Sequence, residues 1–301
     1  MSAPVPGSGT TGDLLHAVCT DPAAPIRAAI CAPGGYGKST LLGELAQAYG
    51  ERGVPVVTGW PAPDLPGAVF LVDDAHRLDE SRLHELRALA ERPDARIVAA
   101  YRPWPRPAAL AELTEVLRRG RPLVTLPALT AAEIDQYLAH GSGAVPATVV
   151  AALSGGVPRY VSRLAATFSG PEPPIRIPAA ALAPFAPELD ELSGDLRTLL
   201  LAVEAGAGLS FDLIAALLEQ DAETVAELVA AGQATGMLAA DGTMVPLARL
   251  AVAALGPIAQ RIGVRQRLAA LQLARGGPVL PLVRQLLPDP PGQSGPAGLA
   301  P

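Results

Sequence analysis

Apolar residues in this chain fall into short dense runs separated by longer stretches with helical spacing. Ile26-Arg27-Ala28-Ala29-Ile30-Cys31, Ala68-Val69-Phe70-Leu71-Val72 and Ala95-Arg96-Ile97-Val98-Ala99-Ala100-Tyr101 are almost unbroken apolar runs. This is the pattern of strands buried on both faces. Leu123-Val124-Thr125-Leu126 reads as a last strand and Val54 to Trp60 as a further one. Between these runs, Leu41, Leu42, Leu45, Ala46 and Tyr49 repeat at helical spacing from Ser39 to Tyr49, which ends near Gly50 and Gly53. Leu83, Leu86 and Leu89 mark a helix from Glu80 to Glu91, and another runs from Ala108 to Arg119 with Gly120 as its cap. Alternating strands and helices predict an α/β domain over residues 12–127.

One connection in that domain is tight. The seven residues Pro61 to Gly67 separate Val54–Trp60 from the next strand. Extended, they span at most about 25 Å, whereas a five-residue strand is about 17 Å long. Parallel strands normally need a longer crossover. Either this edge of the sheet is trimmed or Val54–Trp60 pairs differently.

Beyond residue 127 the strand pattern gives way to helices. Thr130-Ala131-Ala132-Glu133 is a capping box that opens a helix through Ala139. Pro146 to Leu153 is a second helix, and a third follows Gly155-Gly156-Val157-Pro158 and runs through Phe168. This bundle, residues 128–168, is placed to act as a lid with Gly156 and Pro158 near its base; an ordinary helix-breaking turn is the plainer alternative. Residues 169–189, rich in proline and alanine, read as a linker. Residues 190–256 order as three helices, Leu192–Glu204, Phe211–Glu219 and Ala222–Gln233, then Asp241-Gly242 between Met237-Leu238 and Met244-Val245, a hairpin signal. Three helices and a wing predict a winged-helix-like domain. Residues 257–287 read as a helical pair, and disorder is expected over residues 1–11 and the proline- and glycine-rich tail 288–301.

Candidate chemistry concentrates after the first strand. Lys38 is the only lysine in the chain, which otherwise uses arginine. It stands in Ala32-Pro33-Gly34-Gly35-Tyr36-Gly37-Lys38-Ser39-Thr40, the form G-x-x-x-x-G-K-[ST] with Ala32 in the first glycine's place. In such a loop backbone N–H groups surround phosphates, and glycines let the backbone approach them with positive φ. Gly34, Gly35, Tyr36, Gly37, Lys38, Ser39 and Thr40 are the candidate phosphate-binding set; a glycine-rich turn in a chain full of glycine and alanine is the plainer alternative. Lysine brings a compact charge to the β/γ-phosphates and Ser39 a ligand for Mg²⁺. Strand, loop, helix also aims about half an elementary charge at the phosphates.

Asp73 and Asp74 end the next strand-like run. Asp73 is a candidate Mg²⁺ ligand and Asp74 a candidate to orient or deprotonate water; the plainer alternative is that both begin the following helix, where acids are favoured. Arg102, at the end of the third run, is a candidate γ-phosphate sensor or a surface arginine. His76 reads as a local hydrogen-bonding residue, because no metal-type residue is spaced with it.

Composition narrows the partners. Net charge is −6, with no basic run, which argues against sequence-independent binding of nucleic acid. The third helix of the winged-helix-like region carries Glu223 and Glu227 and no base, unlike a recognition helix. Cys19 and Cys31 read as buried free thiols of a reducing compartment. With no signal-peptide pattern and no membrane-spanning run, a cytoplasmic setting is expected and no membrane partner.

Taken in order, Ala-Pro-Gly-Gly-Tyr-Gly-Lys-Ser-Thr (32–40), Leu-Val-Asp-Asp-Ala-His (71–76), Arg102, Leu-Thr-Ala-Ala-Glu-Ile (129–134) and Gly-Val-Pro (156–158) resemble the STAND class of signal-transduction ATPases. The set is most similar to the N-terminal part of MalT-like, LuxR-type transcriptional regulators, over residues 12–275. The resemblance implies an α/β P-loop NTPase fold (AAA-like/STAND) with a parallel sheet, followed by a helical lid and a winged-helix-like domain. It implies ATP or ADP with Mg²⁺ as cofactors, with Lys38 and Ser39 on phosphate and Mg²⁺, Asp73 and Asp74 on Mg²⁺ and water, Arg102 on the γ-phosphate and Pro158 on the adenine side. In the family, ATP binding and hydrolysis switch these parts between a closed resting form and an assembling form, so self-association or contact with other protein domains is expected. The family continues into helical repeats and a C-terminal helix-turn-helix. This sequence stops at what resembles the first repeat helices, as expected of a truncated regulator, a gene fragment or a free-standing ATPase core. The leading expectation is a slow ATPase switch. The alternatives are a non-catalytic nucleotide-binding adaptor, a DNA-binding regulator acting through the winged helix, and, as a poor fit, a metabolic P-loop kinase.

Overall fold

The computed structural model describes residues 9–60, 65–119, 121–139, 145–168, 177–207 and 210–276. The first part runs α1 (Gly9–Thr20), β1 (Ile26–Cys31), α2 (Lys38–Gly50), β2 (Val56–Thr58), β3 (Val69–Val72), a 3₁₀ turn (Ala75–Arg77), α3 (Glu80–Glu91), β4 (Arg96–Tyr101), α4 (Ala108–Leu117) and β5 (Val124–Thr125). Helices alone follow: α5 (Ala131–Ala139), α6 (Ala147–Ser154), α7 (Pro158–Thr167), α8 (Ala179–Leu182), α9 (Phe185–Asp190), α10 (Gly194–Glu204), α11 (Phe211–Leu218), α12 (Ala222–Thr235), α13 (Pro246–Leu255) and α14 (Ile258–Ala274).

The five strands form one parallel sheet in the order β2-β3-β4-β1-β5. β1 and β4 pair along their whole length, from Ile26 opposite Arg96 to Cys31 opposite Tyr101. Alternate side chains go to opposite faces. Ala28, Ile30, Leu71, Val98 and Ala100 pack on one face with Leu14 and Val18 of α1 and Leu41, Leu42 and Leu45 of α2. Ala29, Phe70, Val72, Ile97 and Ala99 pack on the other with α3 and α4, through Leu83, Leu86, Leu110 and Leu113. Both faces are covered, which is why these strands read as unbroken apolar runs rather than alternating ones.

The tight connection resolves as a trimmed edge. β2 has three residues and runs parallel to β3, with Val56 opposite Val69. A three-residue strand is about 10 Å long, so the return through residues 59–68 needs no helix, and none lies among its described residues. Gly59 turns with φ 87° and donates its N–H to Leu71 O at 3.3 Å.

The helical part has its own core, from Ile134 to Leu268. Three expectations change here. Residues 177–189, expected as linker, contain α8 and α9, because Pro178 and Pro184 stand at helix starts, where proline is tolerated. Phe185 is fully buried with its ring 5.0 Å from that of Tyr160. The expected hairpin reduces to one antiparallel bridge, Leu238 with Met244, since Pro246 starts α13 two residues later. Residues 9–11, expected disordered, begin α1, with Thr11 buried. Residues 1–8, Gly120, the linker's 169–176, residues 277–287 of the expected helical pair and the tail 288–301 lie outside the described residues. Of the two thiols, Cys31 is half-buried but Cys19 is exposed, against expectation. It lies one residue past Val18 and so about 100° around α1 from the side that packs on the sheet.

Among the described residues no single helix is long and apolar enough to cross a membrane. α13 and α14 reach that composition only together, across a 112° bend, and α13 buries Leu247, Ala248, Ala251 and Val252 in the helical core.

Leu86 is fully buried where α3 meets the sheet. Leu86→Ala should lower unfolding stability by about 2–5 kcal/mol, measured by urea denaturation. A loss below about 1 kcal/mol would show that α3 is not a rigid cover.

Candidate functional site

Because all strands are parallel, their C-terminal ends share one edge, and the loops that follow them converge there. The loop after β1 carries Lys38, that after β3 carries Asp73 and Asp74, and that after β4 begins with Arg102. The three motifs predicted from sequence therefore meet. β4 lies between β1 and β3, so Arg102 comes up between the lysine loop and the aspartates.

Gly35 and Gly37 adopt φ 82° and 90°, a region that side chains with a Cβ rarely occupy. Gly37 is the last residue before α2, and no side chain caps that helix. Its first N–H groups thus stay open beside the helix's positive end. Ser39 and Thr40 are exposed on the first turn. Lys38 is 5% exposed and donates from Nζ to Ala32 O at 2.7 Å and Pro33 O at 2.8 Å. An ammonium has three donors, so one remains. Burial, and then the Arg102 charge, lower the Lys38 pKa from 10.5 to about 8, while Asp74 and Asp73 oppose the shift. The charge is costly where it sits, and an added anion would relieve it.

Ser39 Oγ donates to Asp73 Oδ2 at 2.5 Å, joining the head of α2 to the end of β3. The other Asp73 oxygen, Oδ1, accepts the Asp74 N–H at 2.8 Å. Asp74 itself is left-handed, φ 48° and ψ 39°, a conformation that aspartate tolerates better than most residues. A hydroxyl and a carboxylate are the hard oxygen donors that suit Mg²⁺, which usually takes only one or two protein ligands. No group of three or more His, Cys, Asp or Glu among the described residues could hold a metal unaided. His76 is buried, and its Nδ1 accepts the Arg102 N–H at 3.3 Å. Burial pushes its pKa down to about 4, with Arg102 and Lys38 adding to the shift against Asp74. The imidazole is therefore neutral, and its 3.9 Å separation from Asp74 Oδ1 is not an ion pair.

Beside these groups is a cavity of about 450 Å³ whose walls include His76, Arg77, Arg102, Trp104, Arg159 and Glu188. Arg159 was not singled out from sequence. It follows Pro158, the first residue of α7, and its N–H donates to Gly35 O at 3.0 Å. A Cβ on Gly35 would lie 2.8 Å from Arg159 Nε. Its guanidinium pairs with Glu188 at 3.1 Å, and Glu188 also binds Arg163. The signal available was an arginine directly after a helix-opening proline. Pro158 is half-buried beside Arg159; the structure brings its helix end to the loop.

The helical part also touches the loop from its far end. Gly34 N–H donates to Ala234 O at 2.8 Å, at the last turn of α12. A Cβ on Gly34 would meet Thr235 O at 2.6 Å, and one on Gly236 would meet Gly34 O at 2.3 Å. Two glycines thus allow two backbones to touch. Nothing in the sequence near Thr235-Gly236 signalled this beyond a helix-ending glycine.

The sheet order, the glycine loop and the acidic strand end together define a phosphate-loop α/β domain. No protein-family model matches the sequence, and no curated protein matches it. Among solved structures the chain is similar to a point mutant of Thermotoga maritima RuvB (19% identity, 78% of this chain and 89% of that chain, TM-score 0.47). It is similar to Aeropyrum pernix ORC1 in complex with DNA (14%, 92% and 93%, 0.45) and to Brucella abortus NtrX in complex with ATP (15%, 75% and 68%, 0.39). All three fall below a TM-score of 0.5, so the site is read from this chain's own residues.

The loop's geometry makes two outcomes measurable. In the folded chain Lys38 releases its proton near pH 8, in the unfolded chain near 10.5. Below pH 8 both states hold it and the cost of burying the charge is fully present. Between those values the folded chain gives it up first, so stability rises with pH. Wild-type stability relative to Lys38→Met should rise across that window by at most about 3 kcal/mol; a flat difference would place the ammonium in water. Gly236→Ala should loosen the contact between α12 and the loop, seen as faster amide exchange at Gly34. Unchanged exchange would show that the contact does not form in solution.

Proposed function

We propose that this chain is an ATP-binding molecular switch that hydrolyses ATP slowly, of the STAND type and akin to the ATPase part of MalT-like, LuxR-type transcriptional regulators. The observation that carries the reading is the Lys38 ammonium, desolvated at the uncapped head of α2, with Ser39 tied to Asp73 beside it. Triphosphate supplies the negative charge these groups lack. The N–H groups of Gly35 to Thr40 and the Lys38 ammonium would hold its β- and γ-phosphates. Ser39 and Asp73 hold Mg²⁺, whose chemistry is to neutralise charge on the phosphate oxygens. Asp74 orients the attacking water, Arg102 and Arg159 face the terminal phosphate, and Pro158 borders the adenine side.

In this reading residues 12–127 are the ATPase domain, 128–168 the lid and 190–256 a winged-helix-like module. Contacts from α7 and α12 onto Gly35 and Gly34 give both helical parts a direct hold on the loop. Self-association or other protein domains would receive the signal. The cytoplasm, with ATP and reducing conditions, suits two unpaired thiols. DNA binding through α12 is disfavoured by its Glu223 and Glu227 and by its last turn being packed on the loop. The same loop contacts favour a second reading, in which nucleotide is held for structure alone.

Calorimetry with Mg·ATP should show binding by wild type and a loss of at least tenfold in Lys38→Ala, which keeps its fold. Equal binding by both proteins would overturn the assignment. Phosphate release should fall at least tenfold in Asp74→Asn; release indistinguishable from background in both proteins favours the structural reading.

A further inference from the structure

His76 is the buried group at this edge that the proposed reaction leaves without a task. Its position is tightly set. It sits on the 3₁₀ turn that follows Asp73 and Asp74, closed by Arg77 N–H to Asp74 O at 2.8 Å. His76 is 7% exposed and lines the cavity that Arg102 and Arg159 also line. Nδ1 has a partner, the backbone N–H of Arg102 at 3.3 Å. A nitrogen that accepts from an N–H carries no proton, so the neutral ring bears its hydrogen on Nε2. Among the described residues Nε2 has no partner. The residue lines the cavity, so an acceptor bound there would complete the ring's hydrogen bonding.

The cavity tells what acceptor belongs there. Arg102 and Arg159 each have a buried Nε without a partner among the described residues. Glu188 is held between Arg159 and Arg163. Lys38 and Arg102 are close enough that both charges act on the His76 ring. Arg77, Arg102 and Arg159 outnumber Glu188 and Glu191 in the cavity's lining, a net positive charge that suits an anion with several acceptor oxygens.

Resting on the ATP reading above, we infer that His76 is a recognition residue for the terminal phosphate: its Nε2–H donates to a γ-phosphate oxygen, while its Nδ1 holds the start of the Arg102 loop. The residue thereby links two parts of one response. A γ-phosphate that engages Nε2 fixes the ring, and the ring fixes the backbone from which the Arg102 side chain projects. ADP lacks the oxygen that Nε2 reaches, so His76 discriminates ATP from ADP.

The side-chain amides of asparagine and glutamine separate the two ring nitrogens. Asparagine places its amide near Nδ1 and can accept from Arg102 N–H, but has nothing at Nε2. Glutamine reaches the Nε2 position with an N–H. Affinities for Mg·ADP and for Mg²⁺ with a β,γ-imido ATP analogue, measured by calorimetry, should read as follows. His76→Asn weakens the analogue about tenfold, as expected for a hydrogen bond to a charged group, and leaves ADP within about twofold. His76→Gln keeps both within about threefold of wild type. A His76→Asn protein that binds the analogue as wild type does, or variants that weaken both nucleotides alike, would leave His76 a purely structural residue and overturn the inference. Imidazole ¹⁵N spectra of wild-type protein give a test that does not depend on a variant folding. The His76 Nε2–H, assigned through its couplings around the ring to the His76 backbone, should shift with the analogue and not with ADP; an equal shift with both, or none, overturns the inference. If wild type binds neither nucleotide, the ATP reading itself falls and this inference with it.

Discussion

One desolvated positive charge organises this edge of the molecule. Lys38 is buried at the head of α2, where the helix's positive end already disfavours a cation. Burial and Arg102 both push against its charge. Two backbone carbonyls, Ala32 O and Pro33 O, are the direct compensation. A negative group bound beside the ammonium would offset the cost of burying it. The aspartates are too few and too committed to do so: Asp73 is taken by Ser39 and by the Asp74 N–H. The rest of the site can be understood as what an anion would find on arrival.

The fold sets those groups at one edge with little adjustment. Parallel pairing of β1, β4 and β3 brings three loops together at their C-terminal ends. Alanines at 28, 29, 99 and 100 keep the central strands thin, so helices pack closely on both faces. The helical part then closes on the loop from two directions, through the α7 N–H of Arg159 and the α12 carbonyl of Ala234. Whatever moves the loop must therefore work against two helices. Gly34 and Gly35 are thereby tied directly to both α12 and α7.

Much of this was legible in the sequence, for definite reasons. Strands buried on both faces leave solid apolar runs, so β1, β3 and β4 stood out. The loop between β1 and α2 stood out as well, because closely spaced glycines stand directly before the chain's lone lysine. Asp73, Asp74 and Arg102 lie at the same edge as Lys38 because strand ends in a parallel sheet share an edge. β2 was ambiguous because a three-residue strand carries almost no pattern. The helices α8 and α9 were hidden by Pro178 and Pro184, which start helices as readily as they end them. Arg159 and Gly236 were missed for a different reason. Their significance is a contact across about 120 to 200 residues of chain, and nothing local in a sequence records a distant backbone touching a glycine. His76 lay in plain view, but the role proposed for it depends on which ring nitrogen is occupied, and that follows only from the Arg102 N–H that reaches it.

The most direct test is a structure determined with Mg²⁺ and a non-hydrolysable ATP analogue. The account predicts the triphosphate wrapped by residues 34–40, with the Lys38 ammonium turned from Ala32 O and Pro33 O onto phosphate oxygens and the metal between Ser39 and Asp73. Nucleotide bound elsewhere, or a lysine still held by those two carbonyls with phosphate beyond its reach, would contradict it.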